Sequence, residues 1–177
     1  MKRTLLALAL FLGASASRAD FNAEVTAQPG FADGLTRVAV VAVSCHESLD
    51  CAQVEDAAAE ELTNRRPPFA VVSPAEVREQ LFASGASELT EEARATALDA
   101  LGADGVLEIR VPFANRGDGF GGTRRSEARV EVRLVARDGR LLMSGRGTGR
   151  PKNVVSGSER VAATVIEKIL VKAFSGR

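Results

Sequence analysis

The sequence predicts an α/β fold: a mixed sheet of four to five strands packed by helices. Three observations carry that expectation. The first is a continuous apolar run rich in β-branched residues, "VAVVAV" at Val38–Val43, of the kind found in a strand buried on both faces. The second is strict period-2 alternation in the later half, "EARVEVRLVA" at Glu127–Ala136, which marks a strand with one solvated face. The third is a set of helix start and stop signals after Val43. They order the first half as strand–helix–strand–helix, which implies a parallel pair joined by crossovers.

The chain opens with Lys2 and Arg3, an apolar run "TLLALALFLGA" and small residues "SASRA". A positive start, a short apolar core and a small-x-small end make a secretory signal peptide over residues 1–19, cleaved after Ala19 or, alternatively, after Ala16. The run falls short of the about 20 apolar residues that span a bilayer. No cysteine lies near the cleavage site, so the sequence predicts no bacterial lipid anchor. No second run of spanning length follows, and the mature protein is expected to be soluble and either periplasmic or secreted.

Residues 20–36, with Pro29, Gly30 and Gly34 among polar residues, read as an extended leader. Residues 37–177 read as one domain. After the first strand, Asp50 stands as an N-cap with Gln53 closing a capping box. Glu55 and Asp56 fall in the first turn of that helix and Arg65 and Arg66 in the last, both favourable to the helix dipole. Val54, Ala58 and Leu62 form its apolar stripe, and Pro67-Pro68 stops it. "FAVV", Phe69–Val72, is a short second strand. "SPAE" at Ser73–Glu76 supplies a cap, a first-position proline and a capping glutamate for a second helix, whose apolar side holds Val77 and Leu81. A third helix runs from about Thr90 to Leu101, with Ala97, Leu98 and Leu101 inward and Gly102 as its stop.

The later half changes style. "VLEIRV" sets Leu107, Ile109 and Val111 against Glu108 and Arg110. The next strand sets Ala128, Val130, Val132 and Leu134 against Glu127, Arg129, Glu131 and Arg133. Asp138-Gly139 then turns the chain into a further strand. A closing helix over about Ser158 to Phe174 points Val161, Val165, Ile169 and Leu170 inward.

Composition limits the function. Without residues 1–19 the chain keeps 20 basic and 23 acidic side chains, a net charge of −3. That balance disfavours nucleic acid, where clustered basic charge supplies most of the affinity. There is no Trp and no Tyr, and scarce aromatic walls disfavour ligand and sugar pockets.

The stretch "VSCHESLDCAQ", Val43–Gln53, holds both cysteines, Cys45 and Cys51, and the only histidine, His46. In an oxidising compartment two cysteines pair, so a disulfide between a strand end and a helix start is the expectation. A metal site would have to recruit His46 with Glu47 or Asp50 around one short loop, and zinc motifs show tighter paired spacing. The spacing is not C-x-x-C, which disfavours a redox pair. His46 could serve as a general base near Ser44 or Ser48, but no nucleophile or oxyanion motif accompanies it. "GDGFGG", Gly117–Gly122, joins two strands rather than a strand and a helix, so it is a hairpin tip and not a phosphate loop. The 112–125 loop carries Arg116, Phe120, Arg124 and Arg125, an apolar residue among arginines, and is the candidate partner contact against the alternative of a plain solvated connection.

Three stretches together resemble a known group: "RVAVVAV" followed by "AAEELTNRRPPFAVVSP" (Ala58–Pro74), "ALGADGVLEIRV" (Ala100–Val111) and "VEVRLVARDGRLLMSGRGTG" (Val130–Gly149). The chain resembles the bacterial envelope domain family of the TolB N-terminal domain, LpoB and CsgG over roughly residues 37–175. The resemblance implies a TolB N-terminal-like, anticodon-binding-domain-like topology. It also implies a domain with no enzymatic activity, cofactor or metal that docks onto another envelope protein. LpoB and CsgG are lipoproteins, and this chain has no lipobox cysteine, so that anchor does not carry over. The 112–125 loop is too short and too rich in glycine to give transmembrane strands of about 9–11 residues, as pore-forming relatives have. The alternatives are a small metal- or His-dependent envelope enzyme, or a sensor of a small ligand or peptidoglycan.

Overall fold

The computed structural model describes residues 20–84, 90–117, 125–151 and 157–175. The expected signal peptide and loop residues Phe120 and Arg124 lie outside these. Ten elements follow in order: β1 (Asp20–Ala27), β2 (Arg37–Cys45), α1 (Cys51–Asn64), β3 (Ala70–Val72), α2 (Pro74–Ala83), α3 (Glu91–Ala100), β4 (Gly105–Asn115), β5 (Glu127–Ala136), β6 (Leu141–Arg150) and α4 (Ser158–Phe174). The strands make one open sheet in the order β1-β6-β5-β4-β2-β3. β2 is parallel to both β3 and β4. From β4 through β5 and β6 to β1 every pairing is antiparallel. The α/β class, with helices on a mixed sheet, is as the sequence predicts.

The strand count is six, not four to five. The additional strand is β1, inside the segment read as a leader. Its partner β6 lies far along the chain, Asp20 opposite Arg150, so nothing local marks the pairing. Its apolar residues Phe21, Ala23 and Val25 pack against the core. The turn after it buries Phe31, Ala32 and Leu35. Phe31 meets Phe174 of α4 edge-on, with ring centroids 5.2 Å apart.

The start of α1 differs in detail from the expected capping box. Asp50 caps the Ala52 amide at 2.9 Å, but Gln53 donates to the Asp50 carboxylate at 3.1 Å instead of closing on the backbone. The helix begins at Cys51, so Glu55 and Asp56 fall past its first turn. At the other end Arg65 is the C-cap and Arg66 takes φ 49°, so neither arginine sits in the last turn. Glu55 has a different role: it accepts the Ala42 amide of β2 at 2.8 Å and the Arg78 guanidinium of α2 at 2.7 Å. α2 follows the expected capping box, with Ser73 and Glu76 bonding reciprocally. The Ser73 amide and hydroxyl hold the Glu76 carboxyl below its ordinary range.

Helices cover the sheet unevenly. On one face α1 and α4 bury the larger core, which includes Val38, Val40, Leu107, Ile109, Val130, Val132, Val165, Ile166 and Ile169. On the other face α2 and α3 bury a smaller cluster of Ala39, Val41, Val72, Val77 and Leu98. α4 lies directly on β6, where Gly145, Gly147 and Gly149 alternate along the strand. A Cβ on Gly145 would overlap Ile169 Cγ2, and one on Gly147 or Gly149 would stand 2.6 Å from Val165 Cγ1 or Cγ2, respectively. The glycines are the groove into which the helix settles.

The "LGAD" turn is held by Asp104. Its carboxylate accepts the Thr36 amide at 2.8 Å, the Thr36 hydroxyl at 2.6 Å and the Arg37 amide at 3.0 Å, tying the start of β4 to the start of β2. Partial burial pushes its pKa up, but the Thr36 hydroxyl and the two amides outweigh this, and the net shift is below the ordinary 3.8. A carboxyl depressed by folding stabilises the protein above its unfolded value, and that stability fades as pH falls through the lower folded value. Asp104→Asn should therefore cost about 1 kcal/mol at neutral pH. In urea melts over a pH series the difference from wild type should close below pH 3.8; a gap independent of pH would contradict the assignment.

Candidate functional site

The candidate residues that the structure describes, Cys45, His46, Cys51, Arg116 and Arg125, lie at one end of the sheet. β2 and β4 are parallel, with Cys45 opposite Val111, so both carboxyl ends point the same way. β5 starts there too, with Glu127 opposite Asn115. Beyond β2 the chain turns through His46–Asp50 into α1, and Cys45 is bonded to Cys51 (S–S 2.10 Å, Cα–Cα 5.7 Å). The bridge clamps strand end to helix start across a six-residue separation. A closed loop this short contributes about 2 kcal/mol through restriction of the unfolded chain. Reduction should lower the melting temperature by several degrees; an unchanged melt with two titrated thiols would show that the bridge stabilises nothing.

His46 lies inside that loop. Its Nδ1 accepts the Ser48 amide at 3.3 Å and lies 3.0 Å from the Ser48 hydroxyl, while its carbonyl accepts the Leu49 amide at 2.9 Å. An Nδ1 that accepts a backbone N–H leaves the ring proton of the neutral form on Nε2. Ser48 is thus brought to His46 as the sequence allows, in a turn that closes on itself. Among the described residues no group of three His, Cys, Asp or Glu side chains is placed to hold a metal ion.

Sequence reasoning missed the neighbours of His46. β4 runs on to Asn115, so Pro112–Asn115, read as loop, are strand. The irregularity between Arg110 and Phe113 re-aims the chain, and a strand accepts proline at a bulge. Phe113 thereby stands 6.2 Å from the His46 ring, and the Arg129 guanidinium lies 5.2 Å from the Phe113 centroid. The connecting segment leaves this cluster through Arg116, which is exposed, and re-enters through Arg125, which is half-buried. Across the two ends the Gly117 amide donates to the buried Ser126 hydroxyl at 3.2 Å. The sequence signal was Pro112 inside an alternating strand.

The second surface is the sheet face that α2 and α3 leave uncovered. Its rows read across β1, β6, β5 and β4 as Asp20-Arg150-Glu127-Asn115, Asn22-Thr148-Arg129-Phe113, Glu24-Arg146-Glu131-Arg110 and Thr26-Ser144-Arg133-Glu108. Charges alternate in sign across the strands, and Arg146 bonds Glu24 at 2.7 Å. Arg150 pairs with Glu127 in the same way, and both are cross-strand pairs of the kind the alternation predicts.

No family model and no curated protein sequence matches the chain. Among solved structures it is similar to the PelC dodecamer from Paraburkholderia phytofirmans, 18% identical over 89% of this chain and 99% of that one, with a TM-score of 0.59. A leucine-to-methionine variant of PelC from the same organism, also a dodecamer, gives 20% identity, 85% and 96% coverage and a TM-score of 0.63. The LpoB C-terminal domain from Salmonella enterica is 19% identical over 66% of this chain and 85% of that one, at a TM-score of 0.45. The fold is the one PelC has.

Proposed function

We propose that this chain is an exported, non-enzymatic interaction domain of the cell envelope that docks onto another envelope protein. One observation carries the reading most: nearly the whole chain superposes on a fold that serves, in PelC, as the repeating unit of a dodecamer. The Cys45–Cys51 bridge suits an oxidising compartment such as the periplasm. The motif resemblance to the TolB N-terminal domain and CsgG points to the same class of work. The contact in this reading is the segment carrying Arg116, Phe120, Arg124 and Arg125, whose described ends, Arg116 and Arg125, follow Phe113 and precede Arg129 in the chain. Arginine and an aromatic side chain together are the residue types that anchor interfaces.

The test is crosslinking in the native envelope with the tagged chain, followed by identification of what is retained. An envelope protein enriched over a tagged periplasmic control, and lost on Phe120→Ala with the melting temperature unchanged, supports the reading and the site. Retention of the same protein by the variant moves the contact elsewhere, and no retained protein overturns the docking function.

A further inference from the structure

The two edges of the sheet are finished differently. At one end β3 covers β2 only from Arg37 to Ala39. Beyond it Glu55 takes the Ala42 amide and is held there by Arg78, so side chains seal the exposed backbone. At the other end β1 runs eight residues as the outermost strand, without proline and in unbroken register with β6. Unpaired edges of this kind recruit further strands unless something blunts them.

The direction of the β1 amides follows from one bond. Gln28 donates its N–H to the Leu142 carbonyl at 3.1 Å. In an antiparallel ladder residues alternate between exchanging bonds with the neighbour and facing away from it. Thr26, Glu24, Asn22 and Asp20 therefore face β6, and Ala27, Val25, Ala23 and Phe21 turn N–H and C=O outward. One outward carbonyl, that of Ala23, is met by Lys172 Nζ of α4 at 3.1 Å.

We infer that a second copy of this chain occupies this edge, β1 pairing antiparallel with the β1 of its mate about a two-fold axis at Ala23. In that register Phe21 lies opposite the partner subunit's Val25, and Ala23 opposite the partner's Ala23. The two Phe21–Val25 pairs exchange two backbone bonds each, and at the axis the partner's Ala23 N–H takes the carbonyl that Lys172 Nζ meets in the single copy. On the apolar face this sets an aromatic residue against a β-branched one on both sides of the axis, a favourable cross-strand pair. On the polar face Asn22 lies opposite the partner's Glu24, and Asp20 opposite the partner's Thr26, so no like charges meet. The register centred on Glu24 would set two glutamates face to face, which disfavours it. The strand is complementary to itself in this register, which engages all of Asp20–Thr26, and the two sheets join into one. The inference does not rest on the envelope partner: pairing concerns β1, at the sheet's far edge from β2 and the His46 loop.

Sedimentation of the exported full chain across the micromolar range tests it. Ala23→Pro removes an N–H that faces away from β6, so the β1–β6 ladder keeps its bonds and the edge alone is spoiled. Expected are a concentration-dependent dimer and an affinity loss of about tenfold or more in Ala23→Pro, with an unchanged melt. Hydrogen exchange on the wild type needs no variant: the Phe21, Ala23 and Val25 amides should gain protection as concentration rises. A monomer throughout, an oligomer that Ala23→Pro leaves intact, or edge amides that exchange freely in the oligomer would each overturn the pairing.

Discussion

Gly147→Val is expected to cost about 3 kcal/mol or more, near the top of the range for overpacked sites. A Cβ at Gly147 would stand 2.6 Å from Val165 Cγ1 and 2.7 Å from the Asn22 carbonyl oxygen. The side chain could shift, but the carbonyl belongs to β1 and cannot move without opening the β1–β6 ladder. Either α4 rises off the sheet or β1 detaches. Thr148→Val, one residue on and facing the open side, should change stability by less than about 0.5 kcal/mol. Equal denaturant midpoints for the two variants would refute the close-approach argument.

Ile169→Ala should cost about 3 kcal/mol, because Ile169 is fully buried at the centre of the larger core. Its Cγ2 would overlap a Cβ on Gly145, so the two positions share one space. Gly145→Ala alone should destabilise by about 1–3 kcal/mol. Combined with Ile169→Ala it should cost much less than the sum, since the added methyl enters the space the isoleucine vacates. A double-mutant cycle measures this coupling, expected at about 1 kcal/mol or more. Strict additivity would mean that helix and strand do not meet there.

Much of the fold was legible because its signals are local. Ser73-Pro74 and Glu76 state a helix start whatever surrounds them, and the alternation of Glu127–Ala136 fixes which side faces the core. The closing helix was legible over Ser158–Phe174 because its buried residues recur at helical spacing. What could not be read depends on partners distant in sequence. β1 is a strand only because β6 offers it an edge. Glu55 reads as a dipole complement until Arg78 and the Ala42 amide are brought beside it. The glycines of β6 were part of a quoted motif, yet their spacing of two, which marks a groove on one face, has meaning only once α4 lies over it. At the candidate site the Cys45–Cys51 pair followed from compartment and spacing. Phe113 and Arg129 did not, because the bulge beside Pro112 decides where Phe113 points.

The pairing of β1 with β6 also sets an order of events. β1, the first strand among the described residues, has its partner at residues 143–150, so it emerges early from the ribosome. Its edge stays unfilled until the last quarter of the chain has been delivered. Nucleation then belongs to the stretch between, where β4, β5 and β6 follow one another through short connections, while closure of β1 carries the long-loop cost that slows non-local contacts. A chain halted before β6 would leave the amphipathic β1 segment at its amino-terminal side without a strand to pair with, and that intermediate is the one a chaperone would meet.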